Sequence, residues 1–225
     1  MFFADRFEAG RLLAAQLGEY AGDSEAIVLA LPRGGVPVGF EIAKALRLPL
    51  DILVVRKLGA PGQAELALGA IASGGLRVLN QDVVQAFAIS PSAVEEIAAR
   101  EEAEIVRREH EYRGDRPPLD LEGRIVLLAD DGLATGSSMR AAVQTLRLGR
   151  PAMIVAALPV GSPETCASLA PEVDRLVCLN QPERFQAVGQ WYERFDQVSD
   201  REVQDLLRRS SAPQPAQNAA PHFAR

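Results

Sequence analysis

Only two cysteines, Cys166 and Cys178, occur in 225 residues. That is too few for a disulfide framework or a zinc site, so both read as small buried apolar residues of a protein made in a reducing compartment. Histidine is as scarce: His110 lies in a charged stretch and His222 near the C-terminus, which leaves little support for a histidine nucleophile or a histidine metal centre. No apolar run approaches the ~20 residues that would span a bilayer. The start, MFFADRFEAGRLLAAQL, carries Asp5, Arg6, Glu8 and Arg11, where a secretory signal would be basic and then apolar. Basic charge is also in short supply. Against 30 acidic residues stand 24 basic ones, a formal charge of −6 with a pI near 5.1, which disfavours nucleic acid or an anionic membrane as the main partner. A cytoplasmic protein without membrane or nucleic-acid partners is the expectation. No internal repeat is found.

What is present is the balance of a globular protein, 48% hydrophobic and 24% charged. The length suits one domain over residues 1–209, large enough to bury a core without a staple. Residues 210–225, SSAPQPAQNAAPHFAR, are poor in apolar side chains and punctuated by proline, which predicts a disordered tail. Asp5 is a plausible N-cap for a helix bearing Phe7, Leu12, Leu13 and Leu17. Apolar runs at 27–31, 50–55, 124–129 and 152–158 read as buried parallel strands, with a further strand at 173–179. Helical patterns follow at 36–46, 138–148 and 163–169. This alternation predicts an α/β, doubly wound, mostly parallel sheet with flanking helices. One stretch departs from the rhythm, with an insertion at about 80–118. Residues 59–75 suggest a mobile loop or hairpin, and 92–113 a charged helix with a narrow apolar stripe of Val94, Ile97, Ala98 and Ile105. That helix is solvated, or it serves dimerisation or covers a cleft.

The chemistry concentrates in RIVLLADDGLATGSSMRAAVQTL, residues 124–146. A buried strand ends in Asp130 and Asp131, a turn of small residues follows, and an amphipathic helix begins at once. Small residues let the backbone close on an anion, and the helix start directs free N–H groups and its positive end at it. Thr135, Ser137 and Ser138 add hydroxyls. There is no Gly-Lys-Ser/Thr and no Gly-x-Gly-x-x-Gly, so this is neither a P-loop nor a dinucleotide fingerprint. Two acids beside a phosphate cradle call for ligand hydroxyls or a bound cation, as a sugar phosphate with Mg²⁺ supplies.

The segment DDGLATGSS resembles the 5-phosphoribosyl 1-pyrophosphate (PRPP) signature of type I phosphoribosyltransferases. From DRFEAG to FQAVGQWYERFDQVSDREV the chain is similar to a poorly characterised phosphoribosyltransferase group. By that resemblance Asp130 and Asp131 hold the ribose hydroxyls and the metal, directly or through water, while Ala134, Thr135, Gly136, Ser137 and Ser138 surround the 5′-phosphate. LPRGGVPVG resembles the family's pyrophosphate loop, with Pro32, Arg33, Gly34 and Gly35 in the turn and the Pro32–Arg33 bond at the position where a non-proline cis peptide occurs. Arg56 and Lys57, at the end of the second core strand, match a basic pyrophosphate contact. The resemblance makes Asp130, Asp131, Arg33 and Lys57 the catalytic set, residues 59–75 a catalytic lid with Glu65 as its one carboxylate, and the N-terminal helix with residues 180–200 a hood. Trp191, Tyr192 and Phe195 in that hood are a packing anchor or a stacking platform.

The resemblance implies an enzyme that moves 5-phosphoribosyl from PRPP to a nitrogenous base with Mg²⁺ as cofactor, releasing pyrophosphate, and it makes a homodimer plausible. The alternatives are a PRPP- or nucleotide-binding regulatory module without turnover, and hydrolysis of a nucleotide or related phosphate. Oxopurine enzymes of the family carry an acid where this chain has Ala134, an alanine similar to the adenine-specific pattern. This disfavours oxopurines and leaves the base open.

Overall fold

The computed structural model describes residues 1–60, 63–114 and 116–211, with the side chains of 63–66 left aside. The expected tail at 212–225, with His222, and the Glu65 side chain lie outside the described residues.

Five strands form the central parallel sheet: β1 (Ala26–Ala30), β2 (Leu50–Ile52), β6 (Ile125–Ala129), β7 (Met153–Val160) and β8 (Arg175–Asn180), in the order β2-β1-β6-β7-β8. Strand alternation sends successive side chains to opposite faces. Val28 and Ala30 accordingly join the cluster beneath α1 (Arg6–Gln16), α2 (Gly35–Leu46) and α7 (Asp200–Ser211). Leu29 and Leu31 join the opposite cluster beneath α5 (Ser137–Leu148) and α6 (Pro163–Leu169). Both faces are buried, which is why these strands read as continuous apolar runs. The doubly wound parallel sheet expected from the sequence is present. Helix α7 continues to Ser211, so Ser210 belongs to the helix rather than to the tail.

The chain leaves this sheet where the sequence predicts that it stays. Residues 50–55 form no single strand: β2 stops at Ile52, and β3 (Val55–Ala60) opens a separate antiparallel sheet with β4 (Gln63–Ala72) and β5 (Leu76–Leu79). The stretch 59–75 is therefore largely hairpin, and Arg56 and Lys57 stand on β3 rather than at the end of a core strand. After α3 (Gln81–Ala86) comes α4 (Pro91–Arg113), capped by Ser90, whose hydroxyl accepts from the Ala93 amide at 3.2 Å. Its predicted stripe is buried, and so is Glu101.

The end of α4 is anchored by Asp51 of β2, which is 8% exposed. Its carboxylate accepts from Arg113 Nε at 2.9 Å and Nη2 at 3.1 Å, and from the Ile52 amide at 2.8 Å. Breaking such a buried pair from one side strands the partner charge, at about 3–5 kcal/mol. Asp51→Ala is expected to lower unfolding free energy by about 3 kcal/mol in urea denaturation; a change below about 0.5 kcal/mol, the ordinary surface level, would show that the anchor carries no stability.

Candidate functional site

In an open α/β sheet, ligands bind outside the carboxyl ends of strands where the order reverses, because the loops there diverge and leave a crevice. Here that point lies between β1 and β6, paired in register from Ala26↔Ile125 to Ala30↔Ala129. The two motif loops leave the sheet side by side, with the Leu31 amide donating to the Ala129 carbonyl at 2.9 Å.

The loops then touch. A Cβ built on Gly34 would lie 2.0 Å from Asp131 Oδ2, and one on Gly35 would lie 2.6 Å from the Ala129 carbonyl oxygen and 2.9 Å from Asp130 Cα. Only glycine lets the 32–35 turn press this closely on the acid pair. The Pro32–Arg33 peptide is cis. On the β6 side, Gly136 takes φ +72°, the left-handed region that favours glycine, and turns the chain into α5. The amides of Ser138 and Met139 open that helix and have no carbonyl behind them within it, the usual condition of a helix start. Thr135 and Ser137 hydroxyls lie 3.1 Å apart beside them. Ala134, Thr135 and Ser138 are exposed and Ser137 is half-buried.

The acid pair sits at the floor. Asp130 accepts from the Asp131 amide at 2.8 Å. Burial, and then the neighbouring Asp131 charge, push the Asp130 carboxyl well above its ordinary value. Asp131 is also raised by burial, with the Arg6 guanidinium opposing the shift. Two carboxylates so placed favour hydroxyl donors or a cation. Their oxygens are hard donors of the type Mg²⁺ takes, but no group of three or more potential ligands occurs among the described residues. The set therefore fits a Mg²⁺ that brings other ligands with it, the usual habit of that ion at phosphate sites, and not an all-protein cage.

The basic residues divide. Arg33 stands in the 32–35 turn, and its Nη1 lies 3.7 Å from Asp200 Oδ1 at the start of α7; Asp200 also accepts from the Tyr112 hydroxyl. Arg56 faces α4, and its Nε and Nη2 lie 2.9 and 2.8 Å from Glu101 Oε2. Lys57 is exposed and falls by alternation on the face of β3 shared with Val55, which packs into the cluster containing Met139 and Ala142 of α5. Lys57 thus shares a side with the cradle helix, and Arg56 does not. His110 is an exposed residue of α4, remote in sequence from both loops.

One participant escaped sequence reasoning. Arg6, 9% exposed, donates from Nε to Asp131 Oδ2 at 2.8 Å and from Nη1 to the Asp196 carbonyl at 2.8 Å. Its guanidinium carbon lies 3.7 Å from the centre of the Phe195 ring. The aromatic segment joins the N-terminus through a Phe3↔Tyr192 bridge, and the Tyr192 hydroxyl donates to the Asp131 carbonyl at 2.6 Å. Val188 lies against Gly132. Tyr192 and Phe195 therefore pack over the acid turn, as an anchor.

A family model described as a phosphoribosyl transferase domain matches residues 4–180. Two proteins from Mycobacterium tuberculosis strains, each carrying the name "Putative phosphoribosyl transferase", are 46% identical over 208 residues, which is 92% of this chain and 47% of theirs. The chain spans about half the length of these curated relatives. The crystal structure of TT1426 from Thermus thermophilus superposes with a TM-score of 0.84 at 41% identity, covering 94% of this chain and 100% of that one. No helix among the described residues is long and apolar enough to cross a membrane.

Proposed function

Because the chain belongs to the phosphoribosyl transferase domain family, we propose that it transfers 5-phosphoribosyl from PRPP to a nitrogenous base and releases pyrophosphate, with Mg²⁺. The observation that carries this reading is the contact between the 32–35 turn and the acid pair, where a Cβ on Gly34 would strike Asp131 at 2.0 Å. That contact puts a turn suited to pyrophosphate and a cradle suited to a sugar phosphate within one ligand's reach.

In this reading the α5 amides and the Thr135, Ser137 and Ser138 hydroxyls hold the 5′-phosphate. Asp130 and Asp131 accept from the ribose hydroxyls and would hold the metal, which when bound neutralises charge on the pyrophosphate. The base nitrogen donates its lone pair to C1 as the C1–oxygen bond breaks and its electron pair departs with pyrophosphate, and the proton of an N–H base leaves to water. Arg33 and Lys57 offset that growing charge. Catalysis is by position and field, and no protein nucleophile is needed. The protein works in the cytoplasm.

The test is pyrophosphate release from PRPP and Mg²⁺ across purines, pyrimidines and pyridine carboxylates, with PRPP binding measured in parallel. Release with one base class is expected; neither binding nor release overturns the reading. A regulatory module is favoured by one observation, the commitment of Arg56 to Glu101, which removes a cation from the leaving group. Binding without release under any base would select that module. Ribose phosphate or orthophosphate formed without a base would select hydrolysis.

A further inference from the structure

A cation at the start of a helix opposes the helix dipole, yet Arg6 opens α1 and is 9% exposed. Such a residue needs partners, and those it has among the described residues lie at the acid turn or in the aromatic segment above it. Asp131 Oδ2 takes Nε, the Asp196 carbonyl takes Nη1, and Phe195 covers the guanidinium face. Asp131 is held at its amide, its carbonyl and one carboxylate oxygen. Its amide is bound by Asp130, its carbonyl by Tyr192 and its Oδ2 by Arg6, while Gly34 presses on that same oxygen. No side chain among the described residues bonds to Oδ1.

We propose that Arg6 is a positioning residue for Asp131: it pins Oδ2 so that Oδ1 meets a sugar hydroxyl, and it ties residues 191–196 to the acid pair. The inference rests on the sugar-phosphate reading of the site and gives the aromatic segment a task on the donor side, holding an acid that grips PRPP. The planar fork suits the task because one guanidinium reaches two acceptors at fixed angles, which an ammonium does not.

The experiment combines calorimetric titration of PRPP with Mg²⁺ and hydrogen exchange of residues 190–197 in the ligand-free protein, for wild type, Arg6→Gln, Arg6→Lys, Tyr192→Phe and Asp131→Asn. Loss of a charge-assisted hydrogen bond is expected to weaken PRPP binding about 10- to 100-fold in Arg6→Gln. Arg6→Lys recovers part of it, since charge returns but only one acceptor is reached. Where turnover occurs, KM for PRPP rises while KM for the base stays within about twofold. Exchange of 190–197 quickens in Arg6→Gln and in Asp131→Asn alike, and no further when the two changes are combined in one protein, as for two halves of one interaction.

Wild-type PRPP affinity in Arg6→Gln, or unchanged exchange in Asp131→Asn, overturns the proposal. Should Arg6→Gln fail to fold, Tyr192→Phe and Arg6→Lys decide it: weakened PRPP binding in a folded protein supports it, and wild-type binding in both overturns it. If the wild type binds no PRPP, the sugar-phosphate reading has failed, and the exchange arm still shows whether Arg6 links the segment to Asp131.

Discussion

Replacing both Asp130 and Asp131 with asparagine is expected to abolish PRPP binding, by at least about 100-fold, because two charge-assisted contacts are lost together. Asp130→Asn alone, which leaves the Arg6–Asp131 pair in place, is expected to make the ligand-free protein more stable. Asp130 is an acid whose carboxyl is raised by burial and by its neighbour's charge, and Asp131 shares the burial, relieved in part by Arg6. A carboxyl with a folded-state pKa above its unfolded value binds more protons when folded. Stability from such a group therefore falls as pH rises through the raised value and returns on acidification toward the ordinary carboxylate range. Wild type should gain stability over that window as pH is lowered from neutrality, and Asp130→Asn should lose most of that dependence. At neutral pH Asp130→Asn should be stabilised by about 1 kcal/mol, in the range found when a site built for function is relieved of strain. Thermal melts at several pH values with calorimetric titration of PRPP check both halves. Retained PRPP binding by the double variant would remove the acids from the site, and a less stable Asp130→Asn would mean that this acid serves the fold.

That opposition between site and stability explains how much of the molecule was legible in the sequence. The sheet was readable because its strands are buried on both faces, so apolar residues run together at 27–31 and 124–129. The cradle was readable because an acid pair followed by Thr135, Gly136 and Ser137 is a poor way to end a buried strand unless something binds there. The branch at Ile52 was not. Leu53 and Val54 are fully buried, so the apolar run continues while the backbone changes sheets, and burial alone carries no record of which strand is the neighbour. Arg56 was placed in the pyrophosphate set because a cation at a strand end looks available; its partner, Glu101, lies 45 positions on in a helix whose stripe shows only which side is inward.

Arg6 was missed for a related reason, its partner Asp131 being 125 positions away. A local signal was nonetheless present. Asp5 caps α1, accepting from the Glu8 amide at 2.9 Å, and Glu8 suits the positive end of the dipole, whereas Arg6 between them does not. A cation in a first helical turn, on the side that continues into Ala9, Gly10 and Leu13, has to meet an acid inside the fold. The acid pair is the one place in the sequence where uncompensated negative charge was already expected.

Gly34→Ala is expected to damage the site although it adds a single carbon. Gly34 has φ −61° and ψ −34°, a conformation alanine adopts freely, so nothing in the backbone opposes the substitution. The obstacle is Asp131, whose Oδ2 and Cγ would lie 2.0 and 2.6 Å from the new methyl. Asp131 has no easy retreat, since Arg6 holds the same oxygen at 2.8 Å. Either the carboxylate turns away from Arg6 or the 32–35 turn lifts off β6, and each outcome separates the two halves of the site. PRPP affinity should fall at least about 100-fold, with destabilisation of about 1–3 kcal/mol as for other overpacked positions. The cause is separable from a general effect on α2: in an Asp131→Ala background the clash is gone, and Gly34→Ala should then cost less than about 0.5 kcal/mol, the level of independent sites. Urea denaturation of the four proteins in that cycle, with PRPP titration of the two that keep Asp131, measures it. Equal costs in both backgrounds would mean that Gly34 serves the helix start. Full PRPP binding by Gly34→Ala would mean that the two loops, though in contact, do not grip the same ligand.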